Sequence, residues 1–385
     1  MKKILLGSTA LVAAGMIAGG TAQAKDEPIA VSVGGYYQSA FAIIDQQSND
    51  NEYANNFNSS AMGQDVEINI GGSATFDNGL TAGFKAVIEG NPTGDDSESM
   101  DERFVFFRGN FGQIRVGATE SARQEFISWA PGGSGIFGVN TPFFIFGNPG
   151  NASSIYNVHT YDDGLGSEDS QKIVYFSPSF GGVSFAASYA PSDQGQSQYG
   201  ANAREVNGQL LDQLSVAAAF DHDFGAVKLR ASAGYETYNL DRCGATPTVV
   251  NCEDSPASFN VGGTLTFGKF SVGGGYLDAD LVANATPVTG LVGPGRDRKD
   301  FDIGVAYWDA MWGIGIQYGR AEIEGATVAA VDDLAFDIMA LNGTYILGPG
   351  VSIQAQIDRG DFENETAGAL DNVYTSFMIG SSLSF

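Results

Sequence analysis

Apolar and polar side chains alternate along most of this chain in runs of eight or more residues. The runs begin near Ile29, Phe259, Phe301 and Val373, and the positions between the apolar ones are small or polar. A period of two residues is typical of a β-strand that has one apolar face and one polar face. The chain is therefore predicted to consist of long strands with one apolar face each.

Two kinds of connection separate these strands. Seven are short turns that suit hairpins: 77–79, 110–112, 180–182, 223–225, 267–269, 310–313 and 348–350. Eight are longer polar segments, near 46–64, 90–101, 120–169, 191–211, 241–256, 281–299, 324–333 and 362–372. Together these turns and loops join about sixteen strands.

An even number of antiparallel strands places both chain ends and all the short turns at one end of the sheet, with the long loops opposite. This arrangement is typical of bacterial outer-membrane barrels. Closure of the sheet pairs every strand edge, as a bilayer requires. The predicted fold class is all-β, a transmembrane antiparallel β-barrel of about 16 strands, whose lumen is too wide for side chains to fill.

Two other β architectures fit the pattern less well. The turns recur about every 38 to 44 residues, near the length of a propeller blade, but a blade holds four short strands and each interval here holds two long ones. A soluble sandwich would hide its apolar faces from water, whereas here aromatic residues collect where strands end, as in interfacial girdles. The membrane barrel is the better interpretation.

Charge and composition narrow the function. The sequence has 19 Lys and Arg against 45 Asp and Glu, a formal net charge of −26. Such an excess of carboxylates argues against nucleic-acid binding, which needs cations for the phosphates. After the first two dozen residues, no apolar stretch reaches the roughly 20 residues of a membrane-spanning helix, so a helical membrane protein is excluded.

The amino terminus has the pattern of an export signal. Two lysines precede an apolar run over residues 4–17, and small residues at 22–24 offer a cleavage site. Residues 1–24 are therefore predicted to be a signal peptide, and residues 25–385 are predicted to form the barrel.

Export also bears on the two cysteines, Cys243 and Cys252, which lie in a predicted external loop. Outside the cytoplasm such a pair most often forms a disulfide, and a zinc site needs more ligands than this pair has nearby. We predict a disulfide, which would contribute roughly 2–3 kcal/mol by closing this short loop.

Several segments resemble a known family. Residues 102–117, Glu-Arg-Phe-Val-Phe-Phe-Arg-Gly-Asn-Phe-Gly-Gln-Ile-Arg-Val-Gly, look like the strand, turn and strand before the third loop of general Gram-negative porins. Segments 172–178, 182–185 and 188–191 are similar to the strand pair after that loop in porins of alphaproteobacterial type, and the terminal Phe385 resembles a barrel assembly signal. The resemblance implies a homotrimeric sixteen-stranded channel in the cell outer membrane, whose third loop folds into the lumen and narrows it.

Strand phase and height place the charged side chains that would set transport. Five bases are predicted to point inward from the pore wall: Lys85, Arg103, Arg115, Lys228 and Arg230. Six acids on the third loop would face this wall across the constriction: Glu120, Glu125, Asp162, Asp163, Glu168 and Asp169. Five more acids are predicted to line the vestibule: Glu67, Glu89, Glu236, Asp302 and Asp358. Because a Debye length of about 8 Å is comparable with a narrow pore, a transverse field is expected there.

Catalytic and metal-binding interpretations have weaker support. The two histidines, His159 and His222, lie in no motif that would activate a serine, so neither an enzyme nor a cofactor is predicted. The acidic run over residues 95–102 could bind a divalent cation or bridge such cations to lipopolysaccharide phosphates, although it lacks an EF-hand pattern.

The sequence therefore predicts a porin, a passive diffusion channel for ions and small hydrophilic solutes with weak cation selectivity. Its predicted partners are membrane lipid, lipopolysaccharide and two further copies, which pack through outward faces near Phe104, Phe106 and Phe111 and on the terminal strands. One alternative is a substrate-specific channel with an aromatic track on the loop: Trp129, Phe137, Phe143, Phe144 and Phe146. Another is a barrel that acts as an adhesin or as an outer-membrane enzyme.

Overall fold

The structure is a computed structural model. It describes residues 29–46, 58–90, 100–141, 146–147, 158, 160, 170–192, 209–241, 255–281, 296–324, 333–364 and 371–385. The predicted signal peptide and both cysteines, Cys243 and Cys252, lie outside the described residues, so the cleavage and the disulfide stay predictions.

Sixteen strands are present in the described part of the chain. They are β1 (Ala30–Gln46), β2 (Ser60–Thr75), β3 (Thr81–Glu89), β4 (Arg103–Gly109), β5 (Gly112–Ala118), β6 (Gln171–Phe176), β7 (Val183–Ser192), β8 (Gln209–Asp223), β9 (Val227–Asp241), β10 (Ala257–Phe267), β11 (Phe270–Leu281), β12 (Arg296–Trp308), β13 (Trp312–Ile323), β14 (Leu334–Gly348), β15 (Val351–Asn364) and β16 (Asn372–Ser384). Each strand pairs with the next, and β16 pairs antiparallel with β1, which closes the barrel. The predicted fold class is confirmed.

The two faces of the sheet differ as the alternation predicts. On β12 the side chains of Ile303 and Val305 are exposed on the outside, whereas Asp302 and Gly304 face inward. The same alternation holds on β14 and β16. Apolar side chains face outward because lipid surrounds the barrel, and closure leaves no backbone edge unpaired within it.

All seven predicted short turns connect consecutive strands at one end of the barrel. Gly112 shows why glycine is needed there: its φ is +103°, and a Cβ at this position would lie 2.0 Å from the carbonyl oxygen of Phe176. A side chain would suffer both from the left-handed backbone and from this contact.

The third long connection begins with a short helix, α1 (Ala122–Phe126). Ser121 caps it: the Ser121 Oγ accepts a hydrogen bond from the Gln124 backbone N–H, and the Gln124 side chain accepts one from the Ser121 N–H. This reciprocal pair is a capping box, which fixes where the helix begins. Among the described residues, no helix has the length and apolar character needed to cross a bilayer.

An apolar cluster lies between this connection and the inner wall of the barrel. Ile136, Phe137 and Val139 of the connection pack with buried inward side chains, among them Phe336 and Met378. Burial of such side chains stabilises by about 1.5–3 kcal/mol each. This part of the third loop is therefore held against the wall by packing as well as by the hydrogen bonds described below.

Candidate functional site

The basic wall is built mainly by β3 and β5. Lys85 and Arg115 both point inward, as predicted. Arg103 does not: it shares its face of β4 with the exposed side chains of Val105 and Phe107, so that prediction is wrong. The phase assigned to β4 was off by one residue, which in a strand moves a side chain to the opposite face.

The correct phase of β4 brings other side chains into the lumen. Phe104 and Phe106 face inward and are buried, so the prediction that they form an outward surface between copies is also wrong. Arg108 shares their face, and its guanidinium lies 5.9 Å from the ring centroid of Phe106. An arginine missing from the sequence-based prediction therefore joins the inner wall.

Both predicted bases of the wall form ion pairs. The Lys85 ammonium contacts the Glu102 carboxylate, and the Arg115 guanidinium contacts that of Glu125. The Arg115 guanidinium also lies over two aromatic rings, 4.9 Å from the centroid of Phe104 and 4.7 Å from that of Phe176. These cation–π contacts hold Arg115 in one orientation.

Glu102 joins the basic wall, a position that the sequence analysis did not give it, since it placed Glu102 only at the end of the acidic run over 95–102. It directly precedes β4, is nearly buried, and accepts a 2.8 Å hydrogen bond from the Thr119 hydroxyl as well as the contact with Lys85. Burial alone would raise the pKa of its carboxyl, but Lys85, Thr119 and Arg115 outweigh that effect and hold the pKa below its usual range. Glu102 is therefore ionised at neutral pH and compensates the charge of Lys85.

The two bases on β9 lie nearer the short-turn end. Lys228 and Arg230 share the inward face with Ser232 and Gly234. The Lys228 ammonium is 3.7 Å from the Asp223 carboxylate, and both side chains are exposed. The Arg230 Nε donates a 3.2 Å hydrogen bond to the Ser128 hydroxyl of the third loop. Arg230 therefore helps to hold the loop.

All five predicted vestibule acids lie on inward faces, but only two have partly exposed side chains. Glu67 and Glu89 are half-buried. Glu236, Asp302 and Asp358 are buried, so they do not line an open vestibule. The prediction failed because strand phase gives the direction of a side chain but not whether a loop covers it.

Each buried acid has polar partners. The Tyr238 hydroxyl donates to Glu236, and the Arg123 Nε lies 4.0 Å from a Glu236 oxygen. Asp358 accepts a 2.5 Å bond from the Ser376 hydroxyl and a 2.8 Å bond from the Gln356 amide. These partners replace the water that the carboxylates lose on burial.

Of the six predicted loop acids, the structure describes two. Glu125 pairs with Arg115, which brings one loop acid against the basic wall as predicted, and Glu120 is half-buried. Asp162, Asp163, Glu168 and Asp169 lie outside the described residues, and their position stays a prediction.

The structure describes three of the five rings of the predicted aromatic track, and one of them is buried. Phe137 is buried in the apolar cluster, and Phe146 packs against that cluster. Trp129 is half-buried, and the rings at 143 and 144 lie outside the described residues. Phe137 therefore offers no surface to a solute, whereas Trp129 and Phe146 keep part of theirs.

Metal binding has no support in the described segments, where no group of three or more His, Cys, Asp or Glu side chains is arranged to hold an ion. Most of the acidic run over 95–102 falls outside those segments, so a divalent cation there stays a prediction.

The chain is similar to known proteins both in sequence profile and in structure. A family profile described as Gram-negative porin matches residues 7–365. No curated protein sequence matches the chain. An anion-selective porin from Comamonas acidovorans has a similar structure, with 15% identity, a TM-score of 0.61, and coverage of 93% of this chain and 100% of that chain.

Two further solved structures are similar to a comparable degree. In-vitro folded OmpT in its trimer form, an outer membrane protein of Vibrio cholerae, has 16% identity and a TM-score of 0.59 over 93% of this chain and 100% of that chain. A porin refined at 1.8 Å has 19% identity and a TM-score of 0.58 over 92% of this chain and 100% of that chain. At such identities these likenesses establish a shared fold.

Proposed function

This chain belongs to the Gram-negative porin family, and we propose that its solute passage runs between the third loop and the inner wall formed by β2 to β5. The chain is an outer-membrane channel. The observation that carries this function is the closed sixteen-stranded barrel with an apolar outer face and a polar inner one. A barrel of this size encloses an aqueous channel for ions and small hydrophilic solutes.

The third loop is the element proposed to narrow this passage. Its described part contacts inward side chains from β7 to β15, and its Glu125 meets Arg115 on β5. Lys85, Glu102, Arg115 and Glu125 therefore border the proposed constriction. A solute passing there would meet two ion pairs instead of two opposed walls of unpaired charge.

Weak cation selectivity is part of the proposal. The ion pairs neutralise Lys85 and Arg115, while Glu67 and Glu89 remain partly exposed on inward faces. Rings of carboxylates favour cations. The similar Comamonas porin is described as anion-selective, so the fold does not decide the sign and the lining charges do.

A homotrimer is proposed through the side of the barrel where the strands are shortest. Strands β3, β4, β5 and β6 have 9, 7, 7 and 6 residues. Their outward side chains include Val105, Phe107, Val116 and Ile173, all exposed and apolar. The trimer form of Vibrio OmpT supports this assembly state. The remaining outer surface would contact lipid and, at its outer rim, lipopolysaccharide.

No catalytic step is proposed. The family and the fold are those of channels. His222 packs beside Phe220 and Phe224 near a short turn.

Recording of purified protein in a planar lipid bilayer tests the proposed function. We expect stepwise, ohmic current increases in KCl that do not saturate as solute is added. Block by one solute at low concentration would favour a substrate-specific channel instead. A folded, membrane-inserted barrel that gives no current steps would refute the diffusion channel and favour an adhesin or enzyme.

A further inference from the structure

A gap in the apolar side chains interrupts the outward face of β10 to β12. Gly263 on β10 lies directly opposite Gly274 on β11, and both alternate with outward side chains such as Val261, Leu265 and Val272. Because glycine has no side chain, two neighbouring strands present only backbone to the membrane at this height. The outer surface of the barrel is therefore indented at this glycine pair.

The indentation is a groove of 420 Å³. Gly274 forms its floor, since this residue pairs with Gly263 on one side and with Ile303 of β12 on the other. Five outward side chains line the groove: Val261, Val272, Tyr276, Phe301 and Ile303. The groove therefore faces the bilayer, and its lining is almost entirely apolar.

A lipid chain is the occupant that fits this groove. The molecules next to the outer wall of a membrane barrel are lipids, and their acyl chains fill the depth of the apolar band. If the groove stayed empty, its lining atoms would lose their dispersion contacts on one side. A flexible acyl chain that lies in the groove gains contacts on three sides, which the smooth wall elsewhere does not offer.

Aromatic rings mark the end of the groove nearest the long loops. Tyr276 lies opposite Phe301, and the ring centroid of Phe301 is 5.8 Å from that of Tyr318. Aromatic girdles of outer-membrane barrels lie at the membrane interfaces. The next outward residues toward the long loops, Asp278 and Lys299, are charged and lie opposite each other. The groove therefore ends at the level of the lipid headgroups.

The outward side chains at this headgroup level carry an excess of carboxylates. Two bases are each paired with an acid: the Lys299 Nζ lies 2.5 Å from a Glu324 oxygen, and the Arg320 Nε lies 2.6 Å from a Glu322 oxygen. Six acids lie on β11 to β14 or at the end of β13: Asp278, Asp280, Asp297, Glu322, Glu324 and Asp337. Six acids minus two bases leave four carboxylates in excess. Such a rim attracts an ammonium group and repels a phosphate group.

We propose that this groove binds one acyl chain of an outer-leaflet lipid whose headgroup carries an amine. The chain lies over Gly274, between the outward side chains of β10 and β12, and the headgroup ammonium lies among the carboxylates beyond Tyr276. The site is on the outer wall and is separate from the solute passage. It gives the barrel a preference among the lipids that surround it, which goes beyond the channel function.

Native mass spectrometry of the detergent-solubilised barrel tests the headgroup preference. Phosphatidylethanolamine and phosphatidylglycerol with identical acyl chains are added, because only the first has an amine. We expect the barrel to retain roughly fivefold more phosphatidylethanolamine, since exposed ion pairs are weak. Asp278→Asn with Asp297→Asn should reduce this preference, because two carboxylates are lost while the groove is unchanged. Equal retention of the two lipids by the unchanged barrel would overturn the proposal.

A side chain that fills the groove tests the acyl-chain site. Gly263→Ile places a branched side chain across the strand pair from Gly274, with its Cβ 3.0 Å from the carbonyl oxygen of Arg230. The matched control is Gly343→Ile on the outward face of β14, where the Cβ lies 3.0 Å from the carbonyl oxygen of Gly313. We expect Gly263→Ile to lose most of the retained phosphatidylethanolamine and the control to keep it. Equal retention by both variants would contradict the proposed site.

Heat-dependent mobility on gels checks that each variant is folded. If Gly263→Ile does not fold, the pair of asparagine variants decides, because these replacements keep the sizes of the side chains. Retention of lipopolysaccharide only with added Mg²⁺, and without a preference for phosphatidylethanolamine, would also refute the proposal, since the carboxylates would then bind metal-bridged phosphates. Ion conductance should be unchanged in both glycine variants, so the site and the channel function are tested separately.

Discussion

Glu102 lies beside Lys85 on the basic wall, where its charge would reduce the field of that base on a passing ion. Its carboxylate lies against Lys85, within a group that includes Thr119 and Arg115. A charge at a constriction acts on ions at short range, where screening is incomplete. We therefore expect the selectivity of the channel to depend on this paired acid as well as on the exposed ones.

Removing the charge of Glu102 should move selectivity toward anions. Two unit charges about 8 Å apart in water interact by about 0.5 kcal/mol, which corresponds to a roughly twofold change in relative permeability. We expect Glu102→Gln to lower the potassium-to-chloride permeability ratio by about that factor. Reversal potentials in a KCl gradient measure it. Lys85→Met is the matched variant, in which the permeability ratio should shift the opposite way. A shift of the ratio in the same direction in both variants would contradict the electrostatic explanation.

The lowered pKa of Glu102 predicts how the effect of this residue on ion selectivity depends on pH. Its folded pKa lies below the ordinary value of 4.5, so its stabilising charge is present above that pH and is lost only as the pH falls through the lowered value. The difference in reversal potential between the unchanged channel and Glu102→Gln should therefore persist at pH 4.5. A difference that disappears between pH 6 and 5 would mean that Lys85 does not hold the proton off.

At the scale of turns, two glycines with positive φ should differ in importance. Gly79 has a φ of +82° and nothing within 4 Å of an added Cβ, whereas Gly112 has a φ of +103° and a Cβ would lie 2.0 Å from the Phe176 oxygen. We expect Gly79→Ala to cost about 1–2 kcal/mol from backbone strain. Gly112→Ala should cost several kcal/mol, since it also displaces a neighbouring strand. Urea unfolding in lipid vesicles measures the free energy of unfolding of each variant. Equal decreases for the two variants would refute the steric argument.

The elements could be predicted closely because their signals are local. Period-two alternation and glycine-bearing turns determined the strand number and the closed antiparallel order without any long-range information. The phase of β3 was also right, and it placed Lys85 inward. On β4 the run of aromatic residues obscured the alternation, and Arg103 was assigned to the wrong face.

The candidate site was harder to predict because it depends on which wall side chains the loop covers. Asp302 and Asp358 lie on the predicted face but are buried, one beneath the loop and one among wall side chains. Glu102 was not assigned to the pore wall because it precedes β4, so the alternation along the strand does not indicate which way it points. Asn342 and Gln354 bind loop backbone that is more than 200 residues away in sequence, and no local pattern marks such partners.

At the scale of the assembly, the short-strand side of the barrel should form the contacts between copies. Val105→Ala with Phe107→Ala removes apolar volume from β4. At a packed interface this loss should lower the temperature at which the trimer dissociates on gels, because each truncated side chain costs about 2–5 kcal/mol when its cavity stays empty. Ile303→Ala with Val305→Ala on β12 is the control, since lipid refills the space there. A larger drop in the dissociation temperature for the control pair would place the interface elsewhere. Monomers alone after mild detergent extraction would exclude the trimer.

The net charge of −26 does not by itself determine which ions pass, because much of it lies in loops away from the passage. Along the passage, the bases Lys85 and Arg115 are compensated by Glu102 and Glu125, while Glu67 and Glu89 remain partly exposed. Because carboxylates that line a passage favour cations, we expect these two partly exposed acids to give the passage its preference. In a KCl gradient we expect potassium to be more permeant than chloride, with a preference that shrinks as salt rises and the Debye length shortens. A reversal potential of the opposite sign at low salt would mean that Arg108, Lys228 and Arg230, nearer the short-turn end, dominate the lining charge.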